Sequence, residues 1–234
     1  MEYLGPLLIL GGVLVIAMSL WDLLKVSSLP LSALGSLQEG LVMIKGRAIP
    51  LADLVDPIKN QACAWYRVWV MECGSGKYSM MRTVYQSESK EPFWVRDESG
   101  SVLVHPGGIF IDLPVEINEL QRDLNYPIIE NGFSPKVRAF LEAVKIHPGE
   151  GLRALFKLGS SNLKVSEAVI RPSQEVCLLG WARRQADEFH FYKEAGNPFF
   201  LTNSENSVTS YRRQQIFFIL CGAAMTVIGI LLAF

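Results

Sequence analysis

Trp65, Arg67 and Trp69 alternate along Cys63 to Glu72, the most strand-like stretch of the sequence. Strand side chains alternate between faces, so these three share one face with Met71, while Ala64, Tyr66, Val68 and Val70 share the other. Trp94 and Arg96 alternate in the same way in a second run, and Arg82 stands in the segment expected to pair with the first. If they converge, these indoles and guanidiniums form a ligand-binding face that stacks on a planar group and pairs with phosphate or carboxylate. The competing reading is a second core layer of tryptophans, with the arginines snorkelling to its edge.

Other chemistry has little support. His105, His147 and His190 lie in separate segments, and no Cys-x-x-Cys, His-x-x-x-His or His-Glu-x-x-His spacing marks a zinc site. Neither a Gly-x-Ser-x-Gly elbow nor a phosphate-binding Gly-Lys-Ser/Thr loop occurs, and Gly107-Gly108 after His105-Pro106 reads as a tight turn. Asp97 and Glu98 are neighbouring carboxylates at what reads as a solvated hairpin tip. No catalytic residue, metal or cofactor is expected. A formal net charge of −1 argues against a nucleic-acid polymer as partner. Four scattered cysteines make no disulfide framework, and Cys63 and Cys73, which a hairpin would bring together, are expected to stay reduced.

The elements that hold these residues begin and end with apolar runs. Tyr3 to Trp21 and Ile216 to Phe234 carry no charged residue, and each is long enough as a helix to cross the hydrocarbon core of a bilayer. No Lys or Arg precedes the first run, so an uncleaved anchor is expected rather than a signal peptide. Lys25, Arg212 and Arg213 flank the spans on the domain side, which predicts a cytoplasmic domain at a bacterial or archaeal inner membrane. Gly11-Gly12 and Gly222-Ala223-Ala224 would let the spans pack on each other or within a homo-oligomer.

The division expected is a transmembrane helix over 3–26, a juxtamembrane linker over 27–39 with one short amphipathic turn at Leu31 to Leu37, a β-rich domain over 40–203, and a helix over 204–234 that starts at Ser204 and continues into the second span. Period-two runs predict strands at Leu41 to Ala48, Cys63 to Glu72, Tyr78 to Tyr85, Phe93 to Asp97, Ser101 to His105 and Ile109 to Val115. Further strands are expected at Leu152 to Leu158, Leu163 to Ile170, Glu175 to Arg184, Glu188 to Lys193 and Phe199 to Thr202. Gly74-Ser75-Gly76 is expected to turn the first aromatic hairpin. Ser134-Pro135 announces one helix running to Ile146. The fold class is therefore membrane-anchored α+β: a β-rich sandwich or partly closed barrel with one short helix, flanked by two transmembrane helices.

Several of these runs together resemble a known family. Pro57, then Cys63-Ala64-Trp65-Tyr66-Arg67-Val68, then Pro92 through Val102, then Glu167-Ala168-Val169-Ile170, Leu178-Leu179-Gly180 and Asn197 through Thr202 resemble the GIDE or BAM (beside-a-membrane) domain in order and content. The resemblance covers about residues 30 to 215 and departs from the pattern at Ser173-Gln174, where the family tends to have a glycine turn. It implies a membrane-proximal sensing or protein-interaction module without catalytic residues, with a protein or lipid partner. Eukaryotic relatives are ubiquitin or SUMO ligases with a RING finger after the second span. Four Cys and three His are too few for a RING's two zinc sites, so ligase activity is not expected from this sequence. At the level of architecture, two-span β-domain proteins also resemble membrane effectors of bacterial antiviral signalling controlled by a cyclic nucleotide.

Overall fold

A computed structural model describes residues 4–27, 29–74, 81–121, 133–146, 161–203 and 205–233. Along the chain come helix α1 (Leu4–Ser27), β1 (Leu31–Ser32), a 3-10 turn (Leu34–Ser36), β2 (Gly40–Pro50), β3 (Trp65–Gly74) and β4 (Met81–Glu88). Next are β5 (Phe93–Arg96), β6 (Ser101–Val104), β7 (Phe110–Asp112), β8 (Val115–Gln121) and helix α2 (Pro135–Ala143). The last elements are β9 (Ser161–Ile170), β10 (Glu175–Gln185), β11 (Glu188–Tyr192), β12 (Phe200–Thr202) and helix α3 (Glu205–Ala233).

Five strands close on themselves in the order β2-β5-β6-β11-β10, because β10 pairs back onto β2 from Arg47↔Glu175 to Gly40↔Ala182. The barrel is only partly closed: beyond Leu179 the second edge of β10 leaves β12 and takes up β11. Strand β7 extends that sheet beside β12, and β1 extends it beside β2. Gly180 sits where the barrel splits, and a Cβ there would stand 2.7 Å from the Phe199 ring and 2.8 Å from the Phe191 ring. Only glycine lets these two rings enter the core so close to the strand.

A second sheet, β4-β3-β9-β8, is covered on both faces along its inner strands β3 and β9, while the edge strand β4 is largely exposed. One face sends Trp65, Ala168 and Ile170 into the barrel core with Phe93, Val104, Leu178 and Phe191. The other sends Val68, Val70, Leu163 and Val165 against Val137, Phe140 and Leu141 of α2. That helix starts as its sequence predicts, with Ser134 Oγ accepting from the Val137 N–H and proline at the first helical position. It ends at Ala143 rather than Ile146, with Lys145 in the left-handed region at φ 58°.

Two expectations change. Ile109 to Val115 is two strands, because Pro114 has no N–H for a ladder and the chain crosses there from the barrel sheet to the second sheet. Residues 31–37 are no free linker: β1 pairs with β2, and Leu34 and Leu37 are buried in the barrel core. Asp97 ties this segment down, its carboxylate accepting from the N–H groups of Leu34, Ser99 and Gly100 and from the Ser99 hydroxyl. The hairpin tip is therefore a latch. The expected strand at 152–158, the turn at 75–76 and the Ser204 cap lie outside the described residues.

Helices α1 and α3 pack antiparallel in seven-residue steps. A Cβ on Gly12 would meet the Gly222 carbonyl at 2.5 Å, and one on Gly229 would meet the Gly5 carbonyl at 2.8 Å. The next step along the same register aligns Ser19 with Gln215, and both are buried. Small residues at this seam let the backbones touch, and the seven-residue period implies a left-handed crossing. Both helices are long and apolar enough to cross a membrane, over Leu4–Leu24 and Gln215–Leu232.

Candidate functional site

The six residues singled out from sequence do not meet in one pocket. Trp65 is buried in the barrel core and Trp69 packs against that core. Arg67 lies between them in sequence and is only partly exposed. Its Nη2 and Nε bind Glu88 Oε2 at 2.6 and 2.7 Å, Nη2 reaches the Ile109 carbonyl at 3.4 Å, and the guanidinium stands 5.4 Å from the Trp65 ring. The Trp-Arg-Trp face is thus the second packed layer, with its cation already satisfied.

Arg82 is exposed opposite Glu72, on the other face of β3. Trp94 and Arg96 belong to the outside of the barrel, since their neighbours Phe93 and Val95 point into its core. There Trp94 is directly opposite Ile49 and Leu103, and Arg96 is directly opposite Arg47. Arg47 and Arg96 are both exposed like charges, and Glu175 stands directly opposite Arg47 on its other side, one carboxylate beside two guanidiniums.

Across the same wall lies a pair that sequence reading kept apart. Leu103 is opposite His190, and His105 leaves the end of β6 so that its Nε2 is 3.0 Å from His190 Nδ1. The rings are 11° from parallel with centroids 5.3 Å apart. That separation exceeds the nitrogen distance by roughly one ring width, so the imidazoles meet edge to edge and share one N–H···N bond. Burial, and then the neighbouring His190, hold His105 below the usual imidazole range. No spacing rule would have found it, because β6 and β11 are joined only by the barrel's parallel pairing.

On the α2 side of the second sheet is a clamp of charges. Arg171 places Nη1 2.6 Å from the buried Asp56 Oδ2 and forks Nε and Nη2 onto the two Glu116 oxygens at 3.0 and 2.7 Å. Lys59 Nζ adds a 2.7 Å contact to Glu116, and these bonds lower the Glu116 pKa. Beside the clamp, Glu167 is wholly buried with neither carboxylate oxygen hydrogen-bonded among the described residues. Burial, and then the charge of Asp56, push its pKa up to about 7; the Ile58 N–H offsets part of this without completing a bond.

The same burial and Asp56 push the free Cys63 thiol up to about 12, which makes it inert rather than nucleophilic. Among the described residues no group of three or more His, Cys, Asp or Glu is arranged to hold a metal ion. The reachable chemistry is therefore on the outer wall: an indole, two facing guanidiniums and a hydrogen-bonded imidazole pair.

The family model described as GIDE, E3 ubiquitin ligase, matches residues 72–233. No curated protein and no solved structure matches the chain.

Proposed function

The chain belongs to the GIDE family, and from that premise we propose that it is a non-enzymatic, two-span membrane protein whose barrel is a membrane-proximal interaction or sensing module. Its domain faces the cytoplasm of a bacterium or archaeon, following the basic flanks Lys25, Arg212 and Arg213. The observation that carries this reading is the packing of the barrel onto the end of α1, along which α3 lies. Val26, in the last turn of α1, is 1% exposed and packs with Cys177, Leu179 and Phe200, while α3 begins at Glu205, just after β12 ends at Thr202. A partner seated on the outer wall would act on a body packed against the end of α1, which itself packs along α3, and a packed joint transmits displacement where a flexible linker would absorb it. Ligase chemistry stays with the family's description.

A photoreactive residue at position 96 in native membranes tests this, with one at Glu142, on the far helix α2, as control. Discrete adducts at 96 that are absent at 142 support the module; equal labelling at both sites removes it. Arg47 and Arg96 facing each other beside Trp94 favour a second reading, in which a cyclic nucleotide binds the wall and controls membrane damage. Nucleotide-dependent leakage from liposomes carrying the protein, lost in Arg96→Ala, is its expected signature. Leakage that ignores nucleotide excludes it.

A further inference from the structure

A ladder of apolar residues crosses five strands on the outside of the barrel sheet. Leu31 on β1 is directly opposite Met43 on β2, Met43 opposite Leu179 on β10, Leu179 opposite Phe200 on β12, and Phe200 opposite Phe110 on β7. With strands about 4.8 Å apart, the bar is about 19 Å long. Its middle is covered by the end of α1: Val26 is buried among Leu179 and Phe200, with Leu29 and Met43 packed alongside. Its ends are open. Leu31 is 47% exposed and Phe110 60% exposed, although Phe110 lies parallel to the Phe200 ring with centroids 5.4 Å apart. Exposed apolar residues at both edges of a sheet, continuous with a buried patch, need a covering surface.

We propose that this bar lies on the bilayer interface, with Leu31 and Phe110 entering the headgroup layer on either side of α1. The inference rests on the reading of α1 and α3 as spans and adds a second, peripheral contact to them. Distance along α1 supports it. The apolar segment ends at Leu24, and the buried polar pair Ser19 and Gln215 marks where the apolar segment of α3 begins. From these levels to Val26 is about 3 to 10 Å along the helix at 1.5 Å per residue, which is the depth of one headgroup layer, about 5–7 Å. A barrel joined to α1 at that height cannot stand clear of the lipid, and apolar side chains such as Leu31 and Phe110 gain by entering the boundary between headgroups and acyl chains. The barrel would therefore be held at three points, the helix pair and the two ends of the bar, which would fix its tilt over the membrane.

Fluorescent labelling of the full chain in liposomes decides the matter. A Cys73→Ser, Cys221→Ala background receives one cysteine at a time, Leu31→Cys or Phe110→Cys, each labelled with the polarity-sensitive dye NBD. Arg96→Cys reports the outer wall away from the bar, and Leu14→Cys, exposed on α1, reports the hydrocarbon core. Nitroxide attached to lipid headgroups should quench the dye at 31 and 110 about two-fold or more over position 96, with a blue-shifted emission. Unquenched, water-like emission at 31 and 110 with position 14 quenched by acyl-chain nitroxide overturns the bar's contact and leaves the spans intact. Absence of quenching at position 14 overturns the spans themselves. Blue-shifted emission at 31 and 110 that headgroup nitroxide does not reach means that protein, a second copy included, covers the bar, and this also overturns the proposal.

Discussion

Replacing Glu167 with glutamine is expected to stabilise the protein above neutral pH and to do progressively less as the solution is acidified. In the fold this carboxyl titrates at about 7, against 4.5 for an ordinary glutamate, because burial and then the Asp56 charge disfavour ionisation. Between those values the folded chain holds a proton that the unfolded chain has released, so stability falls as pH rises through the window. Above it the whole penalty applies: about 2.5 pH units at ~1.4 kcal/mol each gives ~3.5 kcal/mol as an upper bound. Side-chain relaxation and water access in the unfolding reference bring the working range to about 1–3 kcal/mol. Glutamine keeps the shape and cannot ionise. The assay is thermal melting in nanodiscs followed by tryptophan fluorescence from pH 5 to pH 8, comparing wild type with Glu167→Gln. For a gain of ~2 kcal/mol the variant should melt about 4–8 °C higher at pH 8, with most of the gap gone at pH 5. Asp56 and Arg171 are present in both proteins, so the difference reports on position 167. An offset constant across pH, or a variant that melts no higher at pH 8, would refute the buried, ionising carboxylate.

Arg171→Ala should cost about 3–5 kcal/mol, because it leaves the wholly buried Asp56 carboxylate unpaired, and Arg171→Lys should recover only part of this since an ammonium cannot fork onto Glu116; denaturant midpoints of the three proteins give the ordering, and a neutral alanine variant contradicts the clamp. Ser173 sits at φ 64° after Pro172, in a turn closed by the Gln174 N–H on the Arg171 carbonyl, so Ser173→Gly should raise stability by up to about 1 kcal/mol; a lower melting temperature would count against strain at that residue. Gly180→Ala should lower stability by about 1–3 kcal/mol through the Phe191 and Phe199 rings and should blunt the melting transition; an unchanged melt would mean that the core at the barrel split yields freely.

The elements were legible where one local rule decided them. Alternation marked β2, β3, β5, β6, β9, β10 and β11, and the Ser134-Pro135 pair marked α2, because period and capping are properties of neighbouring residues. What those strands do to one another was not legible. Both faces of β3 look apolar or aromatic, and only its placement between the barrel and α2 makes the Trp65 face core rather than surface. The same ambiguity put Trp94 and Arg96 beside Trp65 in expectation, whereas the pleat of β5 turns them to the outside of another sheet. His105 with His190, and Asp56 with Arg171, depend on pairings 85 and 115 residues apart that no spacing encodes. Ser173 is the instructive departure: the place where the family tends to glycine is a place where the backbone is left-handed, and serine adopts that conformation with the Gln174 side chain accepting from the Arg171 N–H.

The seam between β2 and β10 also sets an order of events during synthesis. Gly40 meets Ala182 and Arg47 meets Glu175, so β2 must wait for well over a hundred further residues before its partner exists. During that interval α1 has already left the ribosome, and β2 follows it with one edge bare and Leu34 and Leu37 without a core to enter. Contacts this distant slow folding and lengthen the exposure of an unpaired strand. With α1 read as a span, the nascent chain spends its most aggregation-prone period beside the membrane, and Lys45 and Arg47, set among the apolar residues of β2, are the charges that would keep that waiting edge from joining another copy.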